Sequence, residues 1–490
     1  MSIYRKTAGW LVAGSLLIHP AQHAVAKTDE QPSSYYIEPG SYGTKRETDP
    51  PDYVRNLSKT GIKGTEDITW LDVGLDYRMR YERRENDVRR RPSRSLDEPI
   101  LLRTRAYLGI KEILDPLRAV AEFEDARRYN SQFDRDNRDI NEFELIQGYM
   151  ELHFKDALGY DDRGNARPAF IRAGRMAFEF LDRRLIGLNK WRNTTNTFQG
   201  FRASLGEDAN DWALDLLALQ PLTRLMTDFD KPNQDQWFSS IIGHWRKWSD
   251  IVTIEPYYMA LRQDASPGNR NRARDIHATG LRLSGWVSDT GINYDLTGTY
   301  QFGRDDGRQH DAYMVTAEVG YTFLEHPWKP RISAFYGHVT GDKDPNDYKN
   351  NRFERFFGFA RPWSSDDYMV PENVIAPKLK IEFEPIKGLK FDGGYSAFWL
   401  ESNTDRFNNL LNGSSFNRDP TGNSGDFLGH GLDFRARYNI TPYIAANVGY
   451  THFTNGEFTK NRQVAANGTK SNQSDFIYVE LSFNALDIFK

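Results

Sequence analysis

The chain has 490 residues, 39% hydrophobic and 27% charged, with 13% aromatic residues and a mean hydropathy of -0.70. Cysteine is absent, which excludes disulfides, thiolate nucleophiles and Cys-ligated metals. The formal net charge of -4 argues against nucleic acid as a partner, and no segment reaches the ~18 consecutive apolar residues of a transmembrane helix.

The N-terminus carries Arg5 and Lys6, then an apolar run Ala8–Ile18, then Ala24-Val25-Ala26. That is the pattern of a secretory signal peptide, residues 1–26, with cleavage expected after Ala26. No Cys follows, so a lipid anchor is not expected. Export, no cysteine and abundant Tyr and Phe point to a Gram-negative envelope. Residues 27–65 are polar, rich in Gly and Pro and without period, and are expected to form a flexible periplasmic arm. Residues 66–490 are then the body of the protein.

The body opens with LDVGLDYRMRYE, Leu71–Glu82. Leu71, Val73, Leu75, Tyr77, Met79 and Tyr81 alternate with Asp72, Gly74, Asp76, Arg78, Arg80 and Glu82. A period of two is a strand with one apolar and one charged face. The pattern recurs to the C-terminus in segments of about ten residues, the length of a tilted membrane-spanning strand. Eighteen strands are expected, near 71–84, 100–112, 116–126, 142–155, 168–178, 198–204, 211–219, 236–247, 251–262, 275–286, 291–303, 311–323, 329–340, 374–384, 388–400, 427–438, 442–453 and 475–486. The connections mostly alternate long and short, as in an up-and-down barrel with long extracellular loops and short periplasmic turns. The connection at 156–167 is long for a periplasmic turn. A soluble propeller should instead repeat every ~40–50 residues, and no such repeat is present. Helices and closed barrels are the spanning solutions, so the expected fold is an all-β transmembrane antiparallel barrel.

Ten His are scattered without an H-E-x-x-H, and no G-x-S-x-G, Walker A or Gly-rich dinucleotide turn occurs. Glu122/Glu124 and Glu382/Glu384 have strand spacing, which suits a hydrated wall as well as a catalytic pair. No catalytic constellation assembles, and no cofactor is expected.

In a barrel, the face opposite the lipid carries the charges. It bears Arg78, Arg80, Arg103, Arg105, Lys111, Arg118, Arg175, Arg202, Arg282, Arg331, Lys378, Lys380, Arg435 and Arg437, with Asp76, Glu122, Glu124, Asp215, Asp295, Glu318, Glu382 and Asp433. On the lipid face each would cost ~2–4 kcal/mol at the midplane, so they turn inward. Many should brace the barrel as cross-strand ion pairs. Unpaired Arg and Lys would select for anions, and Arg78/Arg80 and Arg103/Arg105 make the early strands basic.

The stretch 171–202, IRAGRMAFEFLDRRLIGLNKWRNTTNTFQGFR, resembles the alginate-export family of outer-membrane barrels. The likeness rests on Gly174-Arg175, Arg184-Leu185-Ile186-Gly187, Trp191-Arg192-Asn193 and Phe198-Gln199-Gly200. Thr340-Gly341-Asp342 with Asp344, Leu432-Asp433 in LGHGLDFRARY, and NVGYTHFTNGEF follow in order. The resemblance runs from Trp70 over nearly the whole mature chain. It implies an eighteen-stranded channel that passes polyuronate chains out of the cell through an Arg-lined constriction. Arg78 then matches a pore lysine, Arg103 or Arg105 a pore arginine, Asp228 a constriction carboxylate, and Arg352 and Arg361 two loop arginines. Ala177, Asn447 and Gly449 stand where the family has pore arginines, Met176 replaces the motif Gln, and Arg224 replaces a Glu.

The expected function is an anion-passing outer-membrane channel, foremost an exporter of an alginate-like polysaccharide. Uptake of small organic anions is the alternative, and a structural or adhesive barrel working through loops 341–373 and 401–426 is a second. The pore candidates are Arg78, Arg80, Arg103, Arg105, Arg175, Arg202, Asp228, Arg352, Arg361, Arg435 and Arg437. Expected partners are outer-membrane lipid and lipopolysaccharide, the anionic solute, and proteins of a periplasmic secretion complex. At the C-terminus, either Phe489 ends the last strand as an assembly signal or that strand stops near Phe483 with a short tail.

Overall fold

A computed structural model describes residues 33–489 apart from 42, 44, 89–95, 267–271, 345, 408–417 and 468–470. The expected signal peptide and its cleavage site lie outside the described residues. Eighteen antiparallel strands form the wall. They are β1 (Leu71–Glu85), β2 (Ile100–Ile110), β3 (Leu117–Tyr129), β4 (Asn141–Phe154), β5 (Ala169–Met176), β6 (Phe198–Leu205), β7 (Trp212–Thr223), β8 (Gln236–Ser249) and β9 (Val252–Gln263). Then come β10 (Arg274–Trp286), β11 (Ile292–Asp305), β12 (Arg308–Thr322), β13 (Arg331–Val339), β14 (Val374–Ile386), β15 (Leu389–Trp399), β16 (Phe427–Thr441), β17 (Ile444–Asn455) and β18 (Gln473–Asn484). Each pairs with its chain neighbours, and β18 closes on β1 with Arg80 opposite Glu480, so no long edge is left open.

The alternation in β1 is inside out relative to a soluble protein. Leu75, Tyr77, Met79 and Tyr81 are exposed, whereas Arg78, Arg80, Glu82 and Arg84 are buried. The other strands repeat this. Exposed Trp237, Trp245, Trp248, Tyr300, Tyr321, Trp328 and Tyr336 belong to the outer surface, where aromatic rings suit membrane interfaces. Many luminal charges pair across strands: Arg105–Glu124 at 2.9 Å, Arg202–Asp215 at 2.9 Å, Arg282–Asp295 at 2.8 Å and Arg331–Glu382 at 2.6 Å. Arg435 and Arg437 share Asp392 at 2.9 and 3.0 Å.

Three local features refine the expectations. The 156–167 connection, long for a periplasmic turn, closes on itself through a Tyr160–Ala166 bridge and an Asp161 side chain that caps Arg163 and Asn165. One extracellular connection is a two-residue hairpin, Asp306-Gly307, with φ of 54° and 81°, which Asp and Gly tolerate. At the C-terminus β18 stops at Asn484 and a 3-10 turn, Ala485–Phe489, follows, with Asp487 paired to Arg55 at 2.6 Å.

The lumen is not an open tube. The extracellular connections 177–197 and 340–373 fold into it and meet at an Ile186–Phe357 bridge. Phe178, Phe180, Leu185, Ile186, Phe353, Phe356 and Trp363 are buried there against inward-facing Leu217, Leu219, Phe238, Ile242, Met259, Ile276 and Met314. This apolar core is what holds two long loops inside a polar barrel.

The segment expected as a flexible periplasmic arm lines both large luminal cavities with described residues between Ser34 and Tyr53, while Lys59, Gly61, Lys63 and Gly64 near its end are exposed. The Tyr35 N–H donates to the Ala209 carbonyl at 2.9 Å, and Trp286 Nε1 donates to the Glu38 carbonyl at 3.0 Å. Tyr53 Oη donates to Glu122 at 2.6 Å, and residues 54–56 then add to β1 opposite Gly74, Val73 and Asp72. Gly74 is needed at this contact, because a Cβ there would stand 2.7 Å from the Tyr53 ring. Polarity and the lack of a period point to mobility, but Tyr53 and Asp49 find partners on the charged inner wall, and Glu47 and Asp52 find theirs on the inward loop.

Candidate functional site: a cation-lined lumen

Two cavities flank the arm. The first, of about 500 Å³, is lined by β1, β2 and β12–β18, the two inward loops and the arm. Eleven Lys and Arg and seven Asp and Glu line it, an excess of four positive charges in a chain of net charge -4. The second, of about 630 Å³, lies under β2–β7 and is lined by seven Lys and Arg against ten Asp and Glu. A third cavity, of about 270 Å³, lies among the extracellular connections; Arg192, Arg224 and Arg355 line it, with no carboxylate among its described lining residues.

Loop 177–197 is fixed by the wall arginines. Arg78 donates to the Lys190 and Arg192 carbonyls, both at 2.8 Å. Arg80 donates to the Trp191 carbonyl at 2.6 Å, and Arg103 to the Lys190 carbonyl at 3.2 Å. Asn193 Nδ2 donates to the carbonyls of Leu102, Arg127 and Asp139 at 2.9–3.1 Å. Three consecutive carbonyls thus rest on three guanidiniums, which orients the tip of the loop. Burial opposes the charge of Lys190 at that tip, but Glu47 and Asp52 outweigh it and raise its ammonium above the ordinary range.

Arg361, from loop 340–373, is held differently. Its guanidinium lies 3.5 Å from the Trp191 ring centroid and 5.3 Å from that of Tyr478, and Nη2 donates to Tyr478 Oη at 3.2 Å. Arg80 covers Trp191 at 3.9 Å. Among the described residues no carboxylate stands within ion-pair distance of Arg361. Ring faces and neutral oxygens position it, so its charge stays available to the cavity.

The expected pore residues divide. Arg78, Arg103, Arg105, Arg361, Arg435 and Arg437 line the first cavity together. Arg202 lines the second with Arg105. Arg80 is buried beside Trp191, and Arg175 is engaged by Glu144 and by the carbonyls of Leu145 and Asp230. Arg352 is engaged by Asp405 in the extracellular loops and lines neither large cavity. Asp228 is exposed; two residues on, Asp230 is buried and accepts the Leu225 N–H at 2.8 Å and Asn141 Nδ2 at 3.1 Å. Asp228 is therefore corrected to Asp230 as the inward carboxylate of that loop.

Site residues not selected from the sequence include Lys190, Trp191, Arg183 and Arg184. Their signal was the run RRLIG…KWRN, a resemblance motif whose charges lie on a loop, outside the strand alternation. Lys378 and Lys380, luminal by strand alternation, also line the first cavity. Tyr478 stands opposite Gly449 in the ladder, its ring within 2.2 Å of where a Gly449 Cβ would be. The tyrosine thus fills the place expected of an arginine at 449 and steadies Arg361 instead.

A closed barrel with an apolar outer belt, loops folded inward and a cation-rich lumen defines an outer-membrane channel of porin type. More particularly, the chain belongs to the alginate export family, whose model matches residues 69–472. No curated protein matches the sequence. Among solved structures it is similar to Pseudomonas aeruginosa OccK8 (OprE), with a TM-score of 0.54 and 14% identity over 86% of this chain and 98% of that one. It is also similar to the outer membrane protein opdK of that organism, with a TM-score of 0.54 and 11% identity over 84% and 98%. OccK11 (OpdR) of the same organism gives 0.52 and 11% over 84% and 95%. At these identities the likeness is one of fold.

Proposed function

We propose that this channel passes a carboxylate-bearing anion, and that the anion is a uronic-acid polysaccharide leaving the cell. The carrying observation is Arg361, held by ring faces and not by a carboxylate, in a cavity lined by eleven Lys and Arg against seven Asp and Glu, although Arg105, Arg183, Arg184 and Lys380 also pair with Glu124, Glu179, Asp182 and Glu382 outside its lining. Such a wall attracts an anion, and because its cations are spread over several strands and loops, each holds the solute weakly enough for release. In the extracellular cavity Arg192 and Arg355 pair with Asp367 and Glu372, and Arg224, which donates to Thr194 Oγ1 at 2.7 Å, extends the same preference outward. Family membership favours polyuronate as the solute and export as the direction. The signal peptide 1–26, a lipid and lipopolysaccharide annulus and periplasmic secretion proteins complete this reading.

Uptake of small organic anions is a second reading. Loops and arm divide the lumen into cavities of about 500 and 630 Å³, within the ~300–1,000 Å³ range of small-ligand sites. The adhesive reading loses one support, since 340–373 packs inside the barrel.

The test is planar-bilayer conductance across a KCl gradient. An anion-selective reversal potential with block by oligouronate supports polysaccharide passage, and block by small carboxylic acids alone supports uptake. Cation selectivity refutes both.

A further inference from the structure

We propose that the arm stretch Arg46–Asp52, RETDPPD, is an internal stand-in for the solute: its carboxylates occupy the luminal cations that a passing anion must take over, so the arm closes the channel until displaced. This rests on the anion-channel reading above.

The placement of three carboxylates carries it. Glu47 and Asp52 both reach Lys190, at 2.6 and 3.1 Å, at the tip of the loop that the wall arginines orient. Asp49 reaches Arg172 at 3.0 Å and Arg202 at 3.4 Å, on β5 and β6. The stretch therefore bridges cations of the inward loop and of the wall, as a short polyanion would. Glu47 lines both large cavities, so the arm is a wall between them.

Charge sharpens the point. Two of the seven carboxylates of the first cavity are Glu47 and Asp52. Without them its excess grows from four positive charges to six. The anion preference of the lumen is partly silenced by the chain's own acids.

The hold is also of the reversible kind. In each of these pairs one partner keeps contact with water, Lys190 with 45%, Asp49 with 44% and Asp52 with 63% of its side chain accessible, while Glu47, Arg172 and Arg202 are largely buried, so the pairs stay open to exchange from one side. The arm contributes no residue to the apolar core between the inward loops and the wall; its own apolar anchor, Tyr53 and Val54 against Tyr107, lies just beyond the stretch. Pro50-Pro51 stiffens the stretch, so it is suited to leave as a unit.

The test uses the full chain in planar bilayers, with folding checked by heat-modifiable gel migration. E47Q/D49N/D52N keeps shape and removes the three charges. Its conductance is expected to rise several-fold, with a reversal potential shifted further towards anions. The second variant exploits the absence of cysteine: a Cβ on Gly40 would stand 2.5 Å from Asn293 Cγ, so G40C/N293C pins the arm to β11. Oxidised, this channel should carry little current, and reductant should restore it. Equal conductance of wild type and the triple variant, or full current through the oxidised form, overturns the stand-in role. Cation selectivity in every form would instead overturn the anion-channel reading, while the conductance ratios would still judge the arm.

Discussion

Trp191→Leu removes no charge, yet it should weaken anion selectivity. Trp191 lies between two guanidiniums, Arg361 at 3.5 Å and Arg80 at 3.9 Å, with Tyr478 edge-on at 4.7 Å. A desolvated cation–π contact contributes about 2 kcal/mol. Arg80 also has Glu82 at 2.9 Å and Glu480 at 3.2 Å, and these keep it in place. Arg361 has no such carboxylate, so it bears most of the loss. About 2 kcal/mol is roughly a thirtyfold change in the population of the seated guanidinium. Reversal potentials across a KCl gradient should show W191L moving towards R361Q, with the anion preference lowered in both. W191F, which keeps a ring, should stay near wild type. If W191L keeps wild-type selectivity while R361Q loses it, Trp191 does not position Arg361. If R361Q also keeps it, Arg361 is not part of the selective wall.

Positions 447 and 449, where the resemblance implied pore arginines, should behave oppositely. Asn447 lines the first cavity, so N447R adds a cation there and should raise anion permeability in the same bilayer assay. Gly449 has the Tyr478 ring within 2.2 Å of its missing Cβ, so G449R should cost more than the ~1–3 kcal/mol of ordinary overpacking and lower the yield of heat-modifiable barrel. In the loops, burial pushes the Glu372 carboxyl up, but Arg406, Arg355 and Arg352 outweigh it and hold it at about 2. A depressed value means the clamp is fully present above about pH 4.5 and is lost as the pH falls towards 2. Cleavage of loop 340–373 by an acid-active protease should rise over that window, and E372Q should be cleaved above it as well.

The wall was legible because lipid imposes a period of two, and all eighteen expected strands overlap the observed ones. What that period could not convey was the filling. It assigns a face to each strand residue but is silent on loops, so Trp191 and Arg361 are reached only through the family resemblance, and Lys190 only as a charge inside its motif. A cue did exist in β7. In WALDLLALQPL both faces are apolar, with Leu217 and Leu219 buried inside and Leu216 exposed outside. A strand apolar on both sides has something packed against its inner face, and here that is the core of the two inward loops. The arm had no such cue. Glu47, Asp49 and Asp52 read as solvated charge in a Pro-rich tract, the composition of a disordered tail. That inference assumes water is the best partner a carboxylate can find. Inside a barrel lined with arginine it is not, so the same composition that predicts disorder in a soluble protein is compatible here with a docked segment.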